Sequence, residues 1–171
     1  MRIRPEQPGD EQGIRRVNIA AFDTDAEARL VDRLRMDASP LLSLVAIEHR
    51  EIVGHLMCSP MRCDNQPRLQ IFGLAPMAVT PAHQRQGIGS LLVDEAIEHA
   101  QNIGFDAMVV LGYPEYYPRF GFVPASRFGI HSTYDVPDEV FMALELRPGS
   151  LGVASGIVRY HNAFEALGDA H

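Results

Sequence analysis

Apolar residues recur every three or four positions near the amino terminus, and this spacing predicts two helices. The first begins after Asp10, a suitable N-cap, and runs to about Phe22. The second begins at Asp25 and ends before Pro40. Short apolar runs bounded by turn residues predict the strands, which cover residues 3–4, 42–48, 52–59, 71–79, 107–111, 140–146 and 156–160.

The middle of the chain carries the clearest pattern. Residues 88–103 have one apolar and one polar face, and Gly104 ends this predicted helix. Because the helix lies between two apolar runs, 71–79 and 107–111, the three elements predict a βαβ unit with parallel strands. Residues 64–68 are predicted to form a loop. The chain is therefore expected to form one α/β (α+β) domain over residues 1–171, with a mixed sheet flanked by helices.

The first apolar run of this unit is interrupted. Gly73 and Pro76 lie inside it, and proline cannot occupy a regular central ladder. We therefore expect a β-bulge near Ala75 and Pro76.

Composition and charge exclude several classes of protein. The chain has 171 residues, with 15 basic and 22 acidic side chains and a net charge of −7, so it lacks the basic surface of a nucleic-acid-binding protein. No stretch approaches the roughly 18 consecutive apolar residues of a membrane span. The amino terminus has no apolar signal-peptide core, which predicts a cytoplasmic protein. Cys58 and Cys63 lack the spacing of a metal site and predict two free thiols, with no metal bound.

The segment between the 71–79 strand and the 88–103 helix carries the candidate chemistry. It contains Gln84, Gly87 and Gly89 at the entry to the helix. Glycines there allow backbone N–H groups to face outward, and the helix N-terminus adds partial positive charge, so the segment predicts a site for an anion such as pyrophosphate. It does not fit a dinucleotide fingerprint, because Leu92 stands where a third glycine is needed, and it has no Gly-Lys-Ser/Thr sequence.

Three motifs together resemble the GNAT superfamily of N-acetyltransferases. Gln84-x-x-Gly87-x-Gly89 is similar to the family's acetyl-CoA pyrophosphate loop, Met77-Ala78-Val79 to its pantetheine-binding strand, and 116–122 to its Tyr-x-x-x-Gly-Phe segment. The resemblance covers roughly residues 40–125. The C-terminal extension, about 126–171, resembles that of small bacterial acetyltransferases.

The resemblance implies a centrally splayed sheet that holds acetyl-CoA as co-substrate. Backbone groups of the pantetheine strand would hold pantetheine, and the loop would wrap the pyrophosphate. The implied cofactor-binding residues are Met77, Ala78, Val79, Gln84, Arg85, Gln86, Gly87, Ile88, Gly89 and Ser90.

The implied reaction is direct attack of a primary amine, on a small molecule or a peptide, on the thioester. Tyr117 matches the family's general-acid tyrosine, which protonates the leaving thiolate. The sequence nominates no general base. Side chains weighed for that role, each more consistent with a structural or solvated one, are Glu48, His55, Glu115 and His131.

Two further positions depart from the family or stay open. Val110 replaces an asparagine that contacts coenzyme A in many relatives. Arg119 is equally consistent with a contact to a coenzyme A phosphate and with solvent.

Other functions also stay open. The leading alternative is a non-catalytic acyl-CoA-binding sensor or regulatory module, which would keep the loop and tolerate loss of Tyr117. An acetyltransferase acting on aminoacyl-tRNA is disfavoured by the net charge of −7. We expect no nucleic-acid partner and no membrane partner, and a homodimer through the C-terminal strand is an open option.

Overall fold

The computed structural model describes residues 1–152 and 156–168, which form two compact units. The first contains residues 1–59, 75–96 and the described residues from 162 onward, and the second contains residues 60–74 and the described residues between 97 and 161. The predicted helices lie mainly in the first unit, and the second unit consists mainly of short strands.

The first unit contains a hairpin and the N-terminal helices. Its elements are β1 (Arg2–Pro5), α1 (Glu11–Phe22), α2 (Ala26–Asp37), β2 (Leu42–Glu48), the first part of β3 (Glu51–Cys63), the end of β4 (Gln66–Val79), the start of α3 (Ile88–Asn102) and α4 (Glu165–Gly168). β2 pairs antiparallel with both β1 and β3. The two-residue turn between β2 and β3 has left-handed φ at His49 and Arg50, 50° and 67°, as the right-handed twist of a tight hairpin requires.

The core of the first unit forms where the apolar faces of the helices meet the hairpin. Helix α2 buries the residues that the helical spacing selected, whereas α1 buries two of them and leaves Ala20 and Ala21 half-buried; β2, β3 and α3 supply the rest of the core. Fully buried members include Ile14, Val17, Val31, Leu34, Leu44, Leu56 and Leu92. Removing these side chains from water is the main stabilising term of such a unit.

The second unit contains β5 (Ala107–Leu111), β6 (Val123–Pro124), β7 (Ile130–Ser132), β8 (Phe141–Glu145) and β9 (Gly156–Arg159). The start of β4 pairs parallel with β5, from Ile71–Ala107 to Gly73–Val109, and β5 pairs antiparallel with β8. The predicted parallel pair is therefore confirmed. The core of this unit consists of side chains from β3, β4, β5, β8 and β9, including Met61, Ile71, Val109, Phe141, Ala143 and Val158.

One loop prediction was wrong. Residues 64–68 do not form a loop, because β4 begins at Gln66 and β3 continues to Cys63, leaving only residues 64 and 65 as a turn. The longer hairpin has a distant partner, β9, which pairs with the end of β3, and Arg159 binds the carboxylate of Asp64 at 2.9 Å. Local patterning could not anticipate a pairing across 95 residues.

The helices begin and end close to the predicted residues. Asp10 precedes α1, but its carboxylate binds Arg4 at 2.7 Å and the N–H of Gln7 at 2.7 Å, and it makes no cap bond to the helix. Among the described residues, no helix has both the length and the apolar character to cross a membrane. β6 and β7, with two and three residues, are too short to give a pattern in the sequence.

Candidate active site

The end of β4 presents the predicted pantetheine strand. Its side chains alternate: Pro76 and Ala78 are buried, whereas Met77 and Val79 are half-buried. The alternation is that of an extended strand, so the backbone groups of Met77 and Val79 share one orientation. The N–H of Thr80 donates to the carbonyl of Val53 at 2.9 Å, which fixes the end of β4 against β3.

The loop between β4 and α3 turns twice in the left-handed region. Arg85 has a φ of 63° and Gly87 a φ of 86°. The side-chain amide of Gln84 donates to the carbonyl of Val79 at 2.9 Å, and that of Gln86 donates to the carbonyl of Ala82 at 3.4 Å. The two glutamines therefore support the backbone of the loop, while residues 84–87 remain exposed.

Helix α3 begins directly after this loop. The N–H of Leu91 donates to the carbonyl of Gly87 at 3.1 Å, so the helical ladder starts there, and the N–H groups at the very start of a helix have no acceptor within it. The first turn carries no acidic residue that would oppose a bound anion. Nothing lies within 4 Å of the position that a Cβ on Gly87 would occupy, so the space beside this glycine is open.

A buried glycine on β3 sets the position of the helix. A Cβ on Gly54 would lie 3.1 Å from Cγ2 of Ile88 and 3.2 Å from Cδ1 of Leu92. Both side chains therefore pack directly on the strand, and the Ile88 side chain, at 3% exposed, is withdrawn from the surface. The sequence reasoning missed Gly54; a lone glycine inside an otherwise apolar strand is the available signal.

A second set of contacts holds the start of the loop. Nδ1 of His83 lies 2.9 Å from the hydroxyl of Thr80, and Nε2 lies 3.1 Å from a carboxylate oxygen of Glu48. Glu48, weighed as a base from the sequence, thus contacts the His83 ring.

His55, also weighed as a base, lies in a buried polar network. Its Nδ1 is 3.2 Å from the amide nitrogen of Asn18, and its Nε2 is 3.0 Å from the hydroxyl of Ser43. Ser43 donates to a carboxylate oxygen of Glu6, whose other oxygen accepts from Arg35 at 2.7 Å. Because the serine proton is used in this way, Nε2 of His55 donates to Ser43 and Nδ1 accepts from Asn18. The imidazole is therefore held neutral in one tautomer.

Burial explains the chemistry of this histidine. The ring is 0% exposed, and burial, together with the charge of Arg35, lowers the pKa of His55 to about 3. With both ring nitrogens engaged and no exposed surface, His55 is a structural residue. Two other side chains weighed as bases, Glu115 and His131, are exposed.

Tyr117 lies in the second unit, at the start of a short 3-10 helix, Tyr117–Phe120. Its side chain is 7% exposed and packs edge-on against Phe122, with ring centroids 5.7 Å apart, and against Tyr116, with centroids 5.0 Å apart. Gly121, with a φ of 101°, ends the turn. Contacts with two aromatic rings therefore restrict the orientation of the Tyr117 ring.

The structure also shows the surroundings of Arg119 and Val110, whose roles the sequence left open. The guanidinium of Arg119 lies 4.5 Å from the centroid of the Tyr116 ring and donates to the carbonyl of Tyr116 at 3.0 Å, so it is held against its own turn. Val110 is buried within β5. Cys58 and Cys63 are buried thiols that are not joined in a disulfide, and the described part of the chain contains no cluster of three or more His, Cys, Asp or Glu side chains that could hold a metal ion.

Comparison with known proteins identifies the family. The model of the acetyltransferase (GNAT) family matches residues 11–122. The chain is 34% identical over 165 residues to the uncharacterized N-acetyltransferase YhbS of Escherichia coli K12, covering 96% of this chain and 98% of that protein. It is 38% identical over 136 residues to the uncharacterized N-acetyltransferase YjhQ of the same organism, covering 76% and 74%.

Solved structures agree. The crystal structure of YhbS from Escherichia coli in complex with CoA matches with a TM-score of 0.90 at 34% identity, covering 96% of this chain and 91% of that one. A GNAT family acetyltransferase from Brucella melitensis in complex with acetyl-CoA matches with a TM-score of 0.79 at 34% identity, covering 95% and 97%. The predicted fold class and the resemblance stated from three motifs are both confirmed, and the chain belongs to the GNAT family of acetyltransferases.

Proposed function

We propose that this protein transfers the acetyl group of acetyl-CoA to a primary amine, on a small molecule or a peptide, by direct attack of the amine on the thioester. The observation that carries the proposal is the loop from Gln84 to Gly87, which is exposed, turns twice in the left-handed region and leads into a helix N-terminus without an acidic first turn. That combination suits the pyrophosphate of a coenzyme.

The cofactor-binding residues divide into two kinds. Ile88, Gly89 and Ser90 would contribute backbone N–H groups at the start of α3, since the Ile88 side chain is buried. Gln84 and Gln86 would act by supporting the loop, because their amides bond to backbone carbonyls within it. The relatives whose structures contain CoA or acetyl-CoA, at 34% identity over nearly the whole chain, support this assignment.

The pantetheine arm would bind along the end of β4. Backbone groups of Met77 and Val79 would pair with its amides in the manner of an added strand, while the Ala78 side chain stays in the core. Arg85, whose backbone is left-handed and whose side chain is exposed, would lie at the outer edge of the pyrophosphate.

Tyr117 would supply the proton. The neutral amine attacks the thioester carbonyl, the C–S bond breaks, and the departing thiolate takes a proton from the phenol, giving CoA and an N-acetylated product. The amine nitrogen loses one proton and the phenolate regains one from solvent, so the reaction balances. The edge-on packing of the tyrosine against Tyr116 and Phe122 supports a fixed orientation for its hydroxyl.

Titration calorimetry with acetyl-CoA, followed by a free-thiol assay, tests the proposal. The amine panel consists of an aminoglycoside, spermidine, lysine ethyl ester and a peptide with a free amino terminus. Binding with amine-dependent thiol release supports the transferase. Binding without release on any amine would favour the acyl-CoA sensor, and absence of binding would contradict the assignment of the Gln84–Gly87 loop.

Tyr117→Phe separates chemistry from binding. It removes only the phenol proton, so we expect kcat to fall by about 100-fold while the Kd for acetyl-CoA changes less than about twofold. Tyr113→Phe is the matched control, since Tyr113 belongs to the same segment and is 75% exposed. Equal rates in the Tyr117→Phe variant and the unmodified enzyme would eliminate the acid role.

A further inference from the structure

One side chain in the loop between β4 and α3 differs from its neighbours in exposure. Of the residues from 81 to 87, all of which the structure describes, His83 is half-buried and the others are exposed. The His83 side chain keeps 30% of its surface in contact with solvent. Because surface loops contact the rest of a protein at few points, this residue marks a point where the loop is attached.

Strand β3 holds both ends of the loop. At the entry, the N–H of Thr80 donates to the carbonyl of Val53 at 2.9 Å. At the exit, the Ile88 side chain packs on Gly54, the next residue of the strand. The two ends are therefore fixed at neighbouring positions of β3. The residues between them keep one conformation only if a further contact offsets the loss of backbone entropy.

His83 makes such a contact, and both of its ring nitrogens take part. Nδ1 lies 2.9 Å from the hydroxyl of Thr80, and Nε2 lies 3.1 Å from a carboxylate oxygen of Glu48, at the end of β2. A carboxylate has no proton to offer, so it favours the ring form with hydrogen on Nε2, and Nδ1 of the neutral ring then accepts from Thr80. One side chain thereby joins the loop to the β2–β3 hairpin.

The conformation that this contact supports is strained. Arg85, two residues after His83, has a φ of 63°, in the left-handed region that is unfavourable for a residue with a Cβ. The side-chain amides of Gln84 and Gln86 bond to carbonyls five and four residues away, so they shape the loop without attaching it to another element. The His83 ring does reach another element. A strained loop that is already held in place loses less conformational entropy when a ligand binds.

We propose that His83 is a positioning residue for the acyl donor: by holding the loop against Glu48, it keeps the loop in its anion-binding shape before the donor arrives and so raises the affinity for the pyrophosphate end of the donor. The proposal rests on the proposed function, in which this loop wraps the pyrophosphate of acetyl-CoA. His83 acts through the loop and not by contact with the donor.

NMR relaxation of the free protein tests the anchor without any ligand. In His83→Ala, we expect the order parameters of the N–H groups of Arg85 and Gly87 to fall below about 0.6, the range of flexible backbone. His49→Asn is the matched control, because it removes an exposed imidazole from the turn after Glu48 and asparagine tolerates the left-handed φ of 50° there. Unchanged order parameters in His83→Ala, with no new exchange broadening, would overturn the anchor.

Calorimetry with two ligands locates the effect. His83→Ala should raise the Kd for acetyl-CoA by about three- to tenfold, because a smaller fraction of the molecules holds the loop ready. The Kd for adenosine diphosphate, which has a pyrophosphate but no pantetheine, should rise by a similar factor. The value of kcat at saturating acetyl-CoA should stay within about twofold, since the anchor affects binding and not the chemical step. A loss for acetyl-CoA without one for adenosine diphosphate would place the effect along the pantetheine strand and overturn the proposal.

Two conservative variants separate the contacts of the ring. His83→Gln places an amide near the position of Nε2, where it can still donate to Glu48, and should restore the Kd for acetyl-CoA to within about twofold of the unmodified protein. His83→Asn places an amide near Nδ1, where it can bond only to Thr80, and should bind as weakly as His83→Ala. The opposite order would show that the bond to Thr80 is the one that matters, which overturns the link to the hairpin.

A double-mutant cycle tests whether His83 and Glu48 act together. The variant Glu48→Gln/His83→Asn should bind acetyl-CoA no more weakly than the weaker of the two single variants, whereas losses that multiply would show that the residues act separately. The outcomes also distinguish this proposal from the proposed function. If the unmodified protein binds neither acetyl-CoA nor adenosine diphosphate, the assignment of the loop fails. If it binds both and the His83 variants bind them equally well, only the role of His83 is overturned.

Discussion

The ring of Tyr117 occupies the space that a side chain on Gly112 would need. A Cβ added to Gly112 would overlap Cε2 of the tyrosine and lie 3.0 Å from its Cδ2. Gly112 follows β5 directly, and its N–H donates to the carbonyl of Val140 at 2.9 Å, so its backbone cannot easily withdraw. The glycine therefore determines how close the candidate acid comes to the end of β5.

Gly112→Ala should displace the tyrosine. The methyl group collides with the middle of a packed ring, so we expect Tyr117 to shift by several tenths of an ångström or more and kcat to fall by about tenfold. The Kd for acetyl-CoA should stay within about twofold. Steady-state kinetics and calorimetry check this, and the variant Gly112→Ala/Tyr117→Phe should be no slower than Tyr117→Phe alone. A further loss in the double variant would show that Gly112 acts on something other than this ring.

Gly87→Ala should weaken binding of acetyl-CoA by about tenfold or more, because alanine strains a left-handed φ and distorts the phosphate loop. Gly104→Ala is a close control, since Gly104 follows the other end of α3, has a φ of 84° and likewise has nothing within 4 Å of a Cβ. The two variants should lose similar free energy of unfolding, about 1 kcal/mol. Calorimetry that shows equal acetyl-CoA affinities in both would contradict the assignment of the loop.

Glu48→Gln should loosen the start of the same loop. It removes the carboxylate that binds His83 at 3.1 Å, and we expect the Kd for acetyl-CoA to rise by about two- to fivefold with kcat unchanged. Glu51→Gln removes the same charge from the residue paired with Glu48 in the hairpin and, being exposed, should leave the Kd unaltered. A lowered kcat in Glu48→Gln with an unchanged Kd would instead restore Glu48 as a base candidate.

His55 makes the stability of the protein depend on pH. The folded-state pKa of about 3 lies below the unfolded value near 6.5, so between these values the unfolded chain binds a proton that the folded chain does not. Above about pH 6.5 the histidine is neutral in both states and stability is at its full value. As the pH falls below this value, the free energy of unfolding decreases, and the loss reaches about 2 kcal/mol at pH 5.

Urea unfolding of His55→Gln at pH 5, 6 and 7.5 should reveal this proton. The variant should be less stable than the unmodified chain at pH 7.5. The slope of its free energy of unfolding against pH should, however, be smaller, by the equivalent of up to about one bound proton. His131→Gln, at an exposed position, is the control for removing a histidine outside the buried network. Parallel slopes for His55→Gln and the unmodified chain would refute the buried neutral imidazole.

Local patterns were sufficient for the elements that surround the loop. The apolar face of α3, Gly104 at its end and the parallel pair of β4 and β5 were predicted because each follows from the pattern within one continuous segment, residues 71–111. The same holds for Gln84, Gly87 and Gly89, whose spacing is itself the motif. Such features depend on neighbours along the chain, and a single sequence carries them directly.

Contacts between distant segments could not be predicted. Tyr160 reaches Gly73, and Arg159 reaches Asp64, through β9, a strand that the sequence predicted at 156–160 without indicating its partners. His55 was weighed as a base because a lone histidine in a strand gives no sign of whether it is buried among partners. Its neutral state depends on Asn18, Ser43 and Arg35, which come from three other elements.

The network around His55 also limits how this scaffold can be recombined. Asn18 comes from α1, Arg35 from α2, Ser43 from β2 and Glu6 from the segment after β1, and every member satisfies another by a directional bond. A chimera that takes the two N-terminal helices from a relative therefore inherits orphaned polar groups in its interior unless residues 6, 43 and 55 are transplanted with them. The hairpin and the two N-terminal helices therefore have to be exchanged together if the interior of the unit is to stay hydrogen-bonded.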